Sequence, residues 1–233
     1  MEKKTYTAIV LAAGKGQRMN SAVEKQFLLL RNKPIVLYSL LRFQESAVID
    51  DIILVTDAAW IDYCRETMVE AQQLTKVTKI IAGGRQRYDS VYAALRAMGD
   101  TDYVMIHDAA RPLLAQESLL LLRDTVEEHA ACALGVPAKD TIKRIDDAGF
   151  IVETPVRESL WNIQTPQVFA TNLIQEAYEL LQTMDKTDIT DDTMVVERTL
   201  GTRTKLVFGG YQNIKITTPE DMKTAEMLFD SVW

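Results

Sequence analysis

A chain of 233 residues, 47% apolar and 25% charged, has the size and composition of one substantial α/β domain. Its 33 acidic against 26 basic side chains leave a net charge of −7. That balance argues against general nucleic-acid binding, which needs a surplus of cations to displace counterions from phosphates. The two cysteines form no CxxC and there are only two histidines, which excludes a disulfide scaffold and a Cys/His zinc site. The apolar run Ala8–Ala13 is too short for a signal-peptide core and leads into Gly14-Lys15-Gly16-Gln17-Arg18 rather than a cleavage site. No segment approaches the length of a membrane span, so a cytoplasmic protein without a membrane partner is expected.

In chain order, apolar β-type runs alternate with helical stretches. That is the pattern of a Rossmann-like, mostly parallel sheet flanked by helices. The predicted strands are 6–11, 52–56, 79–82, 103–107 and 132–137, each read as buried on both faces. Helices are predicted near 35–45, 60–73, 88–98 and 117–130, with Pro34 suited to the first turn of the first. The alternation breaks at 138–161, where 141–145 and 150–154 read as two short strands around Asp146-Asp147-Ala148-Gly149. A lone hairpin is marginal in water and wants a packing surface, which a dimer partner would supply. We therefore expect a single domain over 1–233 with a protruding arm at about 139–160. Thr218 is the predicted N-cap of a last helix whose Met222, Ala225 and Phe229 share one face.

Candidate chemistry gathers after the strands. Ala12-Ala13-Gly14-Lys15-Gly16 follows the first strand and lets backbone N–H groups approach a phosphate. A dinucleotide fingerprint would want a third glycine where Met19 stands and an acidic residue well before Asp57, and a P-loop would want Gly-Lys-Ser/Thr. Neither is present. Arg18 and Lys25 share the loop that follows and repel each other unless an anion comes between them; the bland alternative is two solvated surface charges. Gly83-Gly84 follows the third strand, and Ser90 in the next helical turn either donates to a ligand or caps the helix. In His107-Asp108-Ala109-Ala110-Arg111, Asp108 is placed to hold Mg²⁺ or to pair with Arg111, and the alanines leave room for a ring or ribose. Lys215 is predicted to project from a strand over 213–217, opposite Ile214 and Ile216. Thr190-Asp191-Asp192 either holds a metal or polar group or caps the next helix. Each histidine has a plain structural reading: His107 at a core edge, His129 at a helix end.

Taken together, these motifs resemble the 2-C-methyl-D-erythritol 4-phosphate cytidylyltransferases. The resemblance is carried in order by Leu11–Met19, Lys25-Gln26-Phe27, Ala82-Gly83-Gly84 with Ser90-Val91, and His107–Pro112. It continues through Asp140–Lys143, Gln164–Gln167, Thr190–Asp192 and Asn213–Thr217. It implies a nucleotide-diphosphosugar transferase fold and the reaction of CTP with 2-C-methyl-D-erythritol 4-phosphate, giving the CDP-alcohol and pyrophosphate with Mg²⁺ on the triphosphate. By the same resemblance the catalytic residues are Arg18, Lys25, Arg157 and Lys215. The nucleotide would lie on Ala12, Ala13, Gly14, Gly16, Gly83, Gly84, Ser90 and Ala109. The polyol phosphate would meet Asp108, Arg111, Thr141, Thr190, Lys215 and Arg157, the last two orienting its phosphate. A homodimer would interlock through the arm, with Arg157 reaching the neighbouring site; the bland alternative pairs Arg157 with Glu153 or Glu158. Two residues depart from the family pattern: Glu24 stands where proline is usual, and Arg85 where some relatives have aspartate. The rival readings are a ribitol 5-phosphate cytidylyltransferase of the same fold, an NAD-dependent oxidoreductase, and a non-catalytic nucleotide-binding protein.

Overall fold

The structure is a computed structural model and describes residues 3–14 and 24–233. Arg18 and Gly16 lie outside the described residues. The strands are β1 (Tyr6–Ala12), β2 (Leu29–Leu30), β3 (Lys33–Pro34), β4 (Asp51–Thr56), β5 (Val77–Ala82) and β6 (Tyr103–Asp108). They continue with β7 (Ala131–Pro137), β8 (Arg144–Ile145), β9 (Ile151–Glu153), β10 (Trp161–Ala170) and β11 (Lys205–Phe208). The helices are α1 (Ile35–Glu45), α2 (Ile61–Cys64), α3 (Arg87–Ala97), α4 (Gln116–His129), α5 (Thr171–Leu181), α6 (Asp192–Leu200) and α7 (Pro219–Leu228). Seven strands form one sheet in the order β11-β7-β10-β6-β1-β4-β5. Its pairings are parallel except for β10, which runs antiparallel to both β6 and β7.

Period-two alternation builds both halves of the core. On one face Ala8, Val10, Ile52, Leu54 and Met105 pack with Leu40 and Phe43 of α1 and Leu122 and Val126 of α4. On the other Ile9, Ile53, Val55, Val104 and Ile106 pack with Val91 and Leu95 of α3 and Ile174 and Tyr178 of α5. Strands sandwiched in this way are apolar on both sides, which is why their sequence runs were legible. The expected face of the last helix is also present: Ala225 is buried and Met222 and Phe229 pack beside it, with Thr218 accepting from the Asp221 N–H in a capping box.

Several expectations change. Pro34 precedes α1 instead of lying in its first turn, because its ψ of 139° is extended. The helix expected over 60–73 is an irregular one: a 3₁₀ turn at Ala58–Trp60, then α2, then wider π turns over Arg65–Glu70. β10 had no counterpart in the predicted elements. Pro166 sits in its middle and its register against β7 shifts between Ile163 and Gln167, so the run does not read as a regular strand. Lys215 does not lie on a strand: 213–217 joins no ladder and touches the sheet end through the Ile216 N–H on the Ala110 carbonyl, at 2.8 Å. The 139–160 segment pairs only Arg144–Ile145 with Ile151–Glu153, a shorter ribbon than expected, with Gly149 in the left-handed region at φ 84°.

The turn after β5 lies directly on the turn after β1. A Cβ on Gly83 would stand 2.4 Å from the Ala13 Cβ and 2.9 Å from Ser90 Oγ. Gly83→Ala is therefore expected to cost about 1–3 kcal/mol, as overpacking does. A lowered urea midpoint at unchanged slope would show it, whereas a wild-type midpoint would mean that the two turns are free to part.

Candidate active site

From β1 the chain steps outward to β4 and β5 and then crosses back to β6 on the other side of β1. The strand order therefore reverses between β1 and β6. Main chains diverge at such a point and leave a crevice beyond the carboxyl ends of the strands. Two adjoining cavities lie there. One, of about 120 Å³, is lined by Leu11–Gly14, Lys25, Gln26, Ser90 and Ala110. The other, of about 290 Å³, is lined by Arg111, Ile163, Gln164, Thr165, Gln167, Thr190 and Asp191. Arg87, Asp108 and Lys215 line both and form the wall between them.

That wall is a chain of alternating charge. Asp108, at the end of β6, receives Lys215 Nζ on Oδ2 at 2.7 Å and Arg87 Nε on Oδ1 at 3.1 Å. Arg87 turns its two Nη atoms onto Asp192, at 2.9 and 2.8 Å, a bidentate fork on a fully buried carboxylate. Tyr178 closes the chain, its hydroxyl donating to Asp192 Oδ1 at 2.6 Å. Burial by itself would push the Asp108 carboxyl up. Arg87 first, then Lys215 and Arg111, hold it instead well below the usual carboxylate range. Burial likewise opposes the Arg87 charge, and Asp192 and Asp108 more than offset it, so Arg87 stays a cation.

Behind Asp108 the packing fixes one tautomer of His107. Its Nε2 lies 3.3 Å from the Arg111 carbonyl, which can only accept, so Nε2 carries the proton. Nδ1 then accepts from Thr165 Oγ1 at 3.0 Å, and the same oxygen receives the Asp108 N–H. Burial pushes the His107 pKa down to about 4, so the ring is neutral, and it is wholly enclosed rather than at a core edge.

The sequence-predicted residues sort as follows. Ala12, Ala13, Gly14, Lys25 and Ser90 line the first cavity. Ser90 Oγ accepts the Gly84 N–H at 3.0 Å and donates to the Gln86 carbonyl at 3.2 Å, so it holds the glycine turn while edging the cavity; the helix cap is Gln86 with Asp89. Gly83 and Gly84 stand behind this lining, and Ala109 is buried in the core while Ala110 faces the cavity. Asp108 does not pair with Arg111, whose Nη1 instead donates to the Asn213 carbonyl at 2.8 Å. Thr190 and Arg111 line the second cavity. Asp191 caps α6, as one of the two readings had it. Thr141 and Arg157 are exposed on the arm segment and line neither cavity. Arg157 forms no carboxylate pair among the described residues; its Nη1 lies 3.4 Å from the Lys139 carbonyl, and Glu153 is taken by Arg144. Sequence reasoning missed Arg87, the hub of the wall, and Asn213, which pins the Lys215 loop by donating to Gln164 Oε1 and the Thr165 carbonyl. Among the described residues no three His, Cys, Asp or Glu side chains cluster as metal ligands, and no helix is long and apolar enough to cross a membrane.

A cavity edged by small residues, Gly14 among them, beside a wall of paired charges at the switch point of a mostly parallel sheet is a setting that suits a nucleotidyltransferase. The chain belongs to the 2-C-methyl-D-erythritol 4-phosphate cytidylyltransferase family, whose model matches residues 6–231. A curated relative of that name from Lachnospira eligens is 49% identical over 220 residues, covering 94% of this chain and 96% of the relative. Another from Clostridium botulinum is 43% identical over 227 residues, covering 97% of this chain and 98% of the relative. Among solved structures, the 4-diphosphocytidyl-2C-methyl-D-erythritol synthase of Anaerococcus prevotii superposes with a TM-score of 0.85 at 30% identity, covering 97% of this chain and 96% of that one.

The enclosed histidine sets a pH window for stability. In the unfolded chain it binds a proton near pH 6.5, in the fold only near 4. The stability gained by keeping it neutral is thus whole above pH 6.5 and is lost as pH falls toward 4. The loss is on the order of 3 kcal/mol. Urea midpoints are expected to fall through this window and to fall less in His107→Asn; a wild-type midpoint flat from pH 7 to 4 would contradict the enclosed neutral ring.

Proposed function

We propose that this protein transfers the cytidylyl group of CTP to the phosphate of 2-C-methyl-D-erythritol 4-phosphate and releases pyrophosphate. The observation that carries the reading is the charge wall between two cavities, in a chain of this family. In this reading the first cavity, beside the Gly14 turn and Lys25, is the nucleotide side and the second, beside Arg111, the acceptor side, and Lys215 lines both. The attacking oxygen belongs to a phosphate monoester already ionised at neutral pH, so no base has to remove a proton. The buried neutral His107 is consistent with that. What remains is to bring two polyanions together and stabilise charge on the α-phosphate, which is work for fixed cations.

In this reading Lys25 and, by family resemblance, Arg18 stabilise the α-phosphate at the transition state. Lys215 and Arg157 orient the attacking phosphate, with Arg111, Thr141 and Thr190 around the polyol. Cytosine is read by main-chain groups of Ala12–Gly14 and Gly16 with Ser90, and by carbonyls of Gly83–Gly84 and Ala109, whose N–H groups are already held by the Thr56 carbonyl, Ser90 Oγ and the Leu11 carbonyl. Mg²⁺ would be carried by triphosphate oxygens: among the described residues Asp108 is the one carboxylate lining the first cavity, and with both its oxygens taken by Lys215 and Arg87 it would meet the ion through water. Bound there, it would neutralise triphosphate charge.

The whole chain acts as one domain, in the cytoplasm, and as a homodimer. The arm supports the last point. Phe150, Ile151 and Val156 are 71%, 62% and 68% exposed, apolar surface that its own chain leaves uncovered. Release of pyrophosphate from CTP with 2-C-methyl-D-erythritol 4-phosphate, and not with ribitol 5-phosphate, is the expected assay result. The reverse preference would move the protein to the ribitol enzymes. No release with either would leave a nucleotide-binding protein.

Lys25→Ala should lower kcat by about 10²–10³, as loss of one preorganised charge-stabilising group does. CTP affinity should fall far less, since the contact strengthens in the transition state. A near-normal kcat would remove Lys25 from the chemistry.

Arg157 has a cleaner test. Lys25→Ala and Arg157→Ala subunits, each inactive, are mixed and allowed to exchange. If Arg157 serves the neighbouring subunit, a mixed dimer has one doubly defective site and one intact site, and activity returns. Exchange shown by mass spectrometry with no recovery would place Arg157 in its own subunit's site.

A further inference from the structure

Arg87 lines both cavities yet has no place in the reaction as derived above, and its surroundings give it one. Asp108 is only 12% exposed and carries two cations, Lys215 on one oxygen and Arg87 on the other. Lys215, 37% exposed on a loop, is the cation able to turn toward an arriving phosphate. Were it alone on Asp108, that turn would strand a nearly buried carboxylate without a partner, which is heavily unfavourable. Arg87 cannot follow the phosphate in the same way. Both its Nη atoms are forked onto Asp192, which is wholly buried, receives the Tyr178 hydroxyl, and has its backbone N–H on Gln167 Oε1 at 2.9 Å. One cation on Asp108 is thus fixed and the other is free to leave.

We propose that Arg87 is a positioning residue: clamped by Asp192, it keeps Asp108 paired while Lys215 passes from Asp108 to the incoming phosphate monoester. Only the identity of that monoester rests on the cytidylyl-transfer reading. A purely structural Arg87 would clamp α3 to α6 and nothing more, and its loss would then be felt equally whether or not residue 108 is charged.

The test is a mutant cycle on the full-length protein. Arg87→Gln alone leaves the buried Asp192 charge unmatched, so the main variant is Arg87→Gln/Asp192→Asn, which removes both charges together. Arg87→Lys, which keeps a cation without the fork, is the milder second probe. Each is made in the wild-type and the Asp108→Asn backgrounds. Binding of inorganic phosphate is followed by calorimetry, and acceptor KM and kcat by pyrophosphate release. With Asp108 present, the paired variant is expected to weaken phosphate binding and raise acceptor KM by ~10-fold, with kcat within ~3-fold. In the Asp108→Asn background the same change should shift both by less than ~3-fold, because no carboxylate is left to be stranded. Arg87→Lys should show the same dependence on background with a smaller drop. Equal losses in both backgrounds, or no phosphate binding by the wild type, would overturn the proposal. If phosphate binding shows the coupled pattern but no acceptor is turned over, the transfer reading fails and the role of Arg87 stands.

Discussion

The structure depends on one buried charge, the Asp192 carboxylate at the start of α6, which no water reaches. An unpaired carboxylate in that position would unfold the region, so the guanidinium of Arg87 and the hydroxyl of Tyr178 must meet it. Meeting it brings α3, α5 and α6 to fixed positions on one face of the sheet. The Nε–H of Arg87 then reaches past the end of β6 to Asp108 and so to Lys215. Three helices, a strand end and the loop before α7 are joined by hydrogen bonds to charged groups, the strongest a protein makes. The Asp192–Arg87–Asp108 part of the wall is therefore in place before any ligand arrives and need not reorganise, and Lys215 is the one cation left to turn.

The cavity on the β1 side is made by the opposite means, a lack of side chains. Gly83 lets the turn after β5 lie against Ala13, and Ser90 fastens that turn by accepting the Gly84 N–H. Gln26, itself buried, donates to the Ala12 carbonyl at 2.6 Å and ties the Lys25 segment to the end of β1. Phe27, next in sequence, stacks on Trp60 with ring centroids 4.3 Å apart. Lys25 is thus delivered to the cavity from a segment anchored on both of its following residues.

How far the sequence could be read follows from where each interaction is encoded. Strands such as Ile52–Leu54 declare themselves because both of their faces are buried and the apolar run is local. The Thr218 cap and the glycine turns are local as well. β10 was not legible, because Pro166 interrupts it and it is held only by partners far along the chain, β6 and β7. Lys215 stands out as a cation among isoleucines, but its strand does not exist, since alternation alone cannot separate a strand from an extended loop pinned by Asn213. Arg87 carried no signal that set it apart from Arg85, two positions before it. Its partner Asp192 lies 105 residues away, and only the packing of α3 on α6 brings them together.

In the proposed reaction these residues form an electrostatic cradle that acts by position, without a nucleophile of its own. Two side chains of the types that most often serve as one are engaged elsewhere: Ser90 Oγ holds its turn, and His107 is buried and neutral. The stereochemical course at the α-phosphorus tests this most directly, using CTP bearing a single sulfur at that position and 2-C-methyl-D-erythritol 4-phosphate as acceptor. One in-line displacement inverts the configuration, and inversion is the result this account predicts. Retention would mean two displacements through a covalent enzyme intermediate and would contradict it.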